Sequence, residues 1–161
     1  MRKQLDSFIN PVTQANVLLK AFGFSKVPLL FLSGTKVVHI DSKSCRVEIP
    51  FRRVVKNHLG SMYFGALAIG ADACVGLLAT HKIREQNQKI GLVFKSFQAD
   101  FLKRAEGHTQ FVCVEGEIID RMIQETIKTG QRVHEKIKAQ AFCQNEIVAE
   151  FVLELSLKQK S

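Results

Sequence analysis

The chain has 161 residues, enough for one domain with a real core. An apolar fraction of 46% and a charged fraction of 24% are ordinary for a soluble globular protein and exclude disorder as a global description. The formal net charge of +8 is unevenly placed: residues 1–60 carry 10 Lys and Arg against 3 Asp and Glu, while residues 61–130 balance at 8 against 8. The surplus gathers around Lys36, Lys43, Arg46, Arg52, Arg53 and Lys56. Such a cluster is either a solvated basic face or a docking surface for phosphates, whether of a nucleotide-bearing cofactor or of a nucleic acid. No RNA- or DNA-binding motif accompanies it, which disfavours nucleic acid.

The polar start, Met1 to Asp6, has no apolar core of a secretory signal, so none is expected. Cys45, Cys74, Cys113 and Cys143 are widely spaced and form no C-x-x-C pair. That argues for reduced thiols packed as small apolar residues in a cytoplasmic protein, against a disulfide framework and against a zinc site.

Along the chain, Leu5, Phe8, Ile9, Val12, Asn16 and Leu19 nearly keep the spacing of an amphipathic helix. Pro11 interrupts it, so Asn10 is expected to cap a helix from about Pro11 to Phe22, with Gly23 as its stop. The apolar run Leu29 to Leu32 ends at a turn, Ser33-Gly34. Lys36 to Ile40 is expected to be a strand. After the polar Asp41 to Ser44 comes a second strand, with Val47, Ile49 and Phe51 on one face and Arg46, Glu48 and Arg52 on the other.

Ser61 to Ala79 is apolar all round, which for a helix means burial on every side or insertion in a membrane. Asp72 in its middle disfavours lipid. Beyond it the sequence reads as strands: Ile90 to Phe101, Phe111 to Ile119, then a hairpin of Val133 to Phe142 and Ile147 to Leu157 across Gln144-Asn145. Met122 to Gly130 is expected to be a short helical or irregular connection. In the last strand Ile147, Ala149, Phe151, Leu153, Leu155 and Leu157 face one way, as in an antiparallel sheet dry on one side. The all-apolar helix is the simplest cover for that side. No linker or internal repeat appears, so residues 1–161 are expected to form a single domain with an N-terminal helical extension over about 1–33.

Asp72 is the first candidate for chemistry, because a carboxylate on an apolar helix must be paired, neutralised or used. An internal cap or salt bridge is the alternative role. Ser61 is expected to cap the long helix, whose first backbone N–H groups lack intrahelical partners and can polarise a carbonyl oxygen. The five histidines are scattered, and no metal-ligand spacing, phosphate loop or cofactor motif is present. Glu115, Glu117 and Asp120 are placed on a strand, the two glutamates sharing a wet face.

Asn57-x-x-Gly60-Ser61-Met62-Tyr63-Phe64-Gly65-Ala66-Leu67, followed by Ala71-Asp72, resembles the central motif of hot-dog thioesterases of the phenylacetyl-CoA thioesterase type. That motif reads Asn-x-x-Gly-x-x-His-Gly-Gly-x-Leu, with an acid after it at the position of Asp72. The resemblance implies an α+β hot-dog fold, a long helix wrapped by an antiparallel sheet, and hydrolysis of an acyl thioester of coenzyme A or of an acyl-carrier protein. Asp72 would be general base or nucleophile, Asn57 would position substrate or water, and the amide of Phe64, with Gly65 beside it, would bind the thioester oxygen. Tyr63 would line the substrate site, and Arg52, Arg53 and Lys56 would hold phosphates. The family's His is Tyr63 here and its first Gly is Phe64. A non-catalytic acyl-CoA-binding or regulatory protein on the same scaffold is therefore the second reading, and a basic nucleic-acid-binding module a third. A hydroxyacyl dehydratase would need a His that position 63 lacks.

Gly65 and Asp72 share a helix face but stand about 10 Å apart along the axis. One thioester cannot touch both, so a homodimer or dimer of dimers with antiparallel helices is expected to share each site. No cofactor, metal or membrane partner is expected.

Overall fold

The computed structural model describes residues 10–160. The chain order is α1 (Pro11–Lys26), α2 (Pro28–Ser33), β1 (Lys36–Ile40), β2 (Cys45–Ile49), a 3-10 turn (Arg53–Val55), α3 (Phe64–Glu85), β3 (Ile90–Phe101), β4 (Thr109–Cys113), α4 (Gly116–Thr129), β5 (Val133–Cys143) and β6 (Glu146–Gln159). The strands form one antiparallel sheet in the order β1-β2-β4-β5-β6-β3.

Asn10 caps α1, its Oδ1 accepting from the Val12 amide at 2.9 Å, with Pro11 in the first turn. Leu5, Phe8 and Ile9 lie outside the described residues. The helix does not stop at Gly23. It runs on to Lys26 and ends where Pro28 disfavours helical backbone at Val27. Gly23 is buried instead, because a side chain there would press on the Phe31 backbone of α2. Asn16 ties α1 to the sheet: its Oδ1 accepts from the Val37 amide at 2.8 Å and its Nδ2 donates to the Val37 carbonyl at 2.9 Å. Both free backbone groups of Val37 on this edge strand are thereby satisfied.

Asp41 closes the β1–β2 turn. Its carboxylate accepts from the Lys43 and Ser44 amides, which lower its pKa to about 2. The β5–β6 turn falls at Gln144 and Asn145 as expected, both with positive φ, the conformation of a tight primed hairpin turn. On β6 the buried residues Ala149, Phe151, Leu153, Leu155 and Leu157 follow the anticipated alternation.

One stretch departs from the expected strand. β4 ends at Cys113, and Gly116 opens a 14-residue helix rather than continuing to Ile119. The Gly116 amide donates to the Lys43 carbonyl at 3.0 Å, and any side chain at Gly116 would strike the Ser42–Lys43 backbone. Ile119, Met122, Ile123 and Thr126 form the buried stripe of α4. Glu115 and Glu117 thus sit at a helix start, and Asp120 faces α3, pairing with Lys82 at 2.7 Å and accepting from Gln86 at 3.0 Å. The Lys82 ammonium also donates to the Ser42 carbonyl, so the buried cation is satisfied on two sides.

The sheet packs on α3, whose Leu67, Gly70, Ala71, Cys74, Val75 and Leu78 are buried. α3 is long and apolar enough to cross a bilayer by length and composition, but here half of that stretch is buried under protein. The four thiols are free and buried. Burial pushes the Cys113 thiol up to about 12, and the Cys74 thiol, bonded towards the Cys45 and Phe111 carbonyls, is raised as well. No thiol is expected to react with a disulfide-exchange reagent in the native protein, and all four after denaturation. A rapidly labelled native thiol would contradict this packing.

Candidate active site

The approach to α3 is a tight turn built on Asn57. Its Oδ1 accepts from the amides of Leu59 and Ser61 at 2.9 and 3.1 Å, and its Nδ2 donates to Ser61 Oγ at 3.0 Å. Gly60 takes a positive φ of 80°, which a glycine adopts without strain. The side-chain bonds of Asn57 therefore lie inside the turn, making it the residue that shapes the entry to the helix. Met62 then donates to the Ala105 carbonyl at 2.8 Å and Tyr63 to the Val55 carbonyl at 2.8 Å, which fixes where α3 begins.

Ser61 is not the helix cap. The cap position is Tyr63, with extended backbone and no capping side chain, two residues beyond the expected cap, and the helix runs from Phe64 to Glu85. The Ala66 and Leu67 amides both turn back to the Tyr63 carbonyl, at 2.9 and 3.2 Å. The amides of Phe64 and Gly65, in the first turn, have no acceptor among the described residues. These are orphan donors at the positive end of a 22-residue helix, the arrangement that suits a developing oxyanion. The Tyr63 ring folds over Gly65, where a Cβ would come within 2.5 Å of it. It also lies 4.7 Å from the Phe64 ring, which contacts Phe101 of β3 in turn. A chain of three aromatic rings thus runs from Gly65 at the helix start to β3.

Asp72 is on the same side of α3. Burial on every side, expected from composition, is not what one chain provides: a stripe of Phe64, Gly65, Ala68, Ile69, Asp72 and Gly76 is left partly or fully open. The Asp72 carboxylate has no hydrogen bond or ion pair with any described residue, so the internal cap or salt bridge is not formed. Solvent reaches it, yet the surrounding protein removes enough water to raise its pKa above the ordinary 3.8.

Arg52, Arg53 and Lys56 are exposed on the segment leading into the Asn57 turn. Arg52 donates to the Leu32 carbonyl at 3.0 Å, and the Lys56 ammonium lies 4.2 Å from the centre of the Phe51 ring. Among the described residues no cluster of His, Cys, Asp and Glu could hold a metal ion. Two hollows of the single chain, one between α1–α2 and β1 and one beside the start of α4, adjoin neither Asp72 nor the free amides.

A six-stranded antiparallel sheet on a central apolar helix, with two amides and an acid along that helix that have no partner among the described residues, defines an α+β protein. Residues 15–152 match the family described as Domain of unknown function (DUF4442), and the chain belongs to that family. No curated protein matches the sequence. A Pseudomonas aeruginosa protein of unknown function, described as a "probable thioesterase", is 22% identical with a TM-score of 0.79, over 94% of this chain and 97% of that one. A mutant thioesterase from the same organism is 12% identical, TM-score 0.65, over 94% and 96%. A Chlorobaculum tepidum protein with unknown function is 15% identical, TM-score 0.78, over 92% and 97%. At these identities the likeness shows the fold.

Proposed function

We propose that this is a hot-dog hydrolase of acyl thioesters acting as a homodimer, in the phenylacetyl-CoA thioesterase-like branch. The observation that carries the reading is the open stripe of α3, which joins two amides to a desolvated carboxylate, all three without a partner among the described residues. The thioester oxygen would accept from the Phe64 or Gly65 amide. Asp72 would take a proton from water as the water oxygen bonds to the carbonyl carbon. The tetrahedral oxyanion then collapses, the carbon–sulfur bond breaks and the leaving thiolate takes up a proton. Attack by the carboxylate itself, giving a mixed anhydride that water opens, reaches the same products. Arg52, Arg53 and Lys56 are suited to the phosphates of coenzyme A or to an acidic carrier protein. Four free thiols fit a reducing, cytoplasmic setting.

Assembly follows from the same face. β3 ends the sheet with a 12-residue edge on which Phe97 and Phe101 are exposed, the Phe101 ring in contact with Phe64 of the open stripe. An unpaired edge of this length, bulged between Phe94 and Ser96, is a template for pairing with a second copy. A two-fold pairing would bring the amides of one helix towards Asp72 of the other. Light scattering at micromolar concentration is expected to give a dimer or a dimer of dimers; a stable active monomer would remove the shared site.

The replacement of the family His by Tyr63, its ring folded over Gly65, favours a second reading: a non-catalytic acyl-thioester binder. One experiment separates the two. Free thiol is measured while acyl-CoA esters of increasing chain length are offered to the folded protein. Steady release supports hydrolysis, whereas saturable binding without turnover at every length leaves the binder.

A further inference from the structure

α1 and α2 pack together as an N-terminal helical hairpin. α1 buries Ala15, Leu19 and Gly23 against the rest of the protein, and α2 buries Leu30. Their outer sides are apolar too. Phe24 is 74% exposed and Leu29 66%, with Val17, Phe22, Phe31 and Leu32 also open. The Phe24 and Phe31 rings touch edge to face across the two helices, 5.6 Å between centres, so the patch is continuous. A helix apolar on two sides needs cover on both.

Charge indicates what covers the outer side. No acidic residue lies between Asp6 and Asp41, while Lys20, Lys26 and Lys36 fall in that interval. Arg52 joins the patch through its bond to the Leu32 carbonyl. Between α1–α2 and β1 a hollow has an apolar floor of Leu19, Leu30 and Phe31 with Lys20 and Lys36 on its lining. Lys36 is paired with Glu48 at 2.8 Å, which leaves Lys20, Lys26 and Arg52 as the cations beside the patch, and apolar side chains flanked by these three complement a surface with hydrocarbon beneath anionic headgroups. A second copy is a weaker occupant, because like charges would face each other across the contact. Pairing through β3 would leave the hairpin free as well, since Asn16 ties it to β1 at the other end of the sheet.

We propose that the α1–α2 hairpin docks the protein on an anionic lipid surface, Phe24, Leu29 and Leu32 entering the headgroup boundary while Lys20 and Lys26 neutralise the headgroups. This does not depend on the catalytic reading, because the test involves no turnover.

The full chain is sedimented with vesicles of phosphatidylcholine alone and with vesicles carrying about one quarter phosphatidylglycerol. Binding is expected to the second only, and to fall as salt rises from about 0.1 M to about 0.5 M, since added ions screen the headgroups. The double substitution Phe24→Asp with Leu29→Asp, and separately Lys20→Glu with Lys26→Glu, should each weaken binding by about tenfold or more while melting near the wild-type temperature. Should the apolar pair fail to fold, the lysine pair and the salt series still decide. Wild-type protein left in the supernatant with the anionic vesicles overturns the proposal, as does binding unchanged in both variants. A lower molar mass of the Phe24→Asp, Leu29→Asp protein in solution would assign the patch to a second copy and overturn it too.

Discussion

Asp72→Asn is expected to lower thioester turnover by a factor of about 100 to 10,000, the usual worth of a positioned general base, while raising the melting temperature at pH 7. Asparagine keeps the size and shape of the side chain but can neither take the proton nor attack the carbonyl. The stability effect has the opposite sign because the carboxylate is unpaired. Loss of water holds the Asp72 carboxyl above 3.8 in the folded protein, so the folded state binds the proton more tightly than the unfolded one. Stability linked to this group is complete below the unfolded value and is lost as pH rises through the folded value. At pH 7 the wild type carries the whole loss and Asp72→Asn none of it, and the difference should shrink as pH falls towards 4. Activity should rise over the same window in which this stability is lost. Calorimetry and thiol release across pH measure both. Full turnover by Asp72→Asn would remove the acid from the mechanism, and an unchanged melting temperature at pH 7 would mean the group is not desolvated.

Gly70→Ala is expected to destabilise the protein although it improves helix propensity. A Cβ at position 70 would run into the Phe111 ring. That ring is fully buried and backed by the Phe151 ring 6.2 Å away, so it has no room to retreat. Overpacking of this kind costs roughly 1–3 kcal/mol, against about 1 kcal/mol gained from replacing Gly by Ala within a helix. The clash should win, and a net loss near 1 kcal/mol or more would lower the melting temperature by about 2–4 °C per kcal/mol in a chain of this size. Phe111→Leu frees space above position 70, so the double variant should regain part of what Gly70→Ala loses. Additive losses in the double variant would show that the ring is not what Gly70 accommodates.

Much of the fold was legible because the elements carry local signals. Asn10-Pro11 marks a helix start, the bounds of β1 and β3 follow apolar runs between polar turns, and β6 alternates over its length. The elements misjudged are those whose ends are set by distant partners. Val112, Val114, Ile118 and Ile119 read as one β-branched strand, yet Gly116 has to lie against the Ser42–Lys43 backbone, and the chain turns there into α4. Ile119, Met122, Ile123 and Thr126 keep a helical period, but Ile119 also continues the β-branched run that precedes it, so the local pattern fits both. Gly23 has the residue type of a helix stop, but it serves the close approach of α2. Ser61 has the chemistry of a cap, but Asn57 draws it into the preceding turn.

Residue order alone is enough to recognise a long apolar helix carrying one acid, a sheet dry on one side to cover it, and a motif from Asn57 to Asp72 that resembles a thioesterase's. These follow from periodicity and from residue types at fixed offsets. It takes the folded chain to see that the Phe64 and Gly65 amides have no acceptors among the described residues, that Tyr63 lies over Gly65, and that the α3 stripe bearing Asp72 stays open in a single chain. Which donors go unpaired and which helix face stays wet depend on where the Val55 and Ala105 carbonyls and the β3 edge come to lie, and those contacts join segments that local sequence signals cannot place against one another.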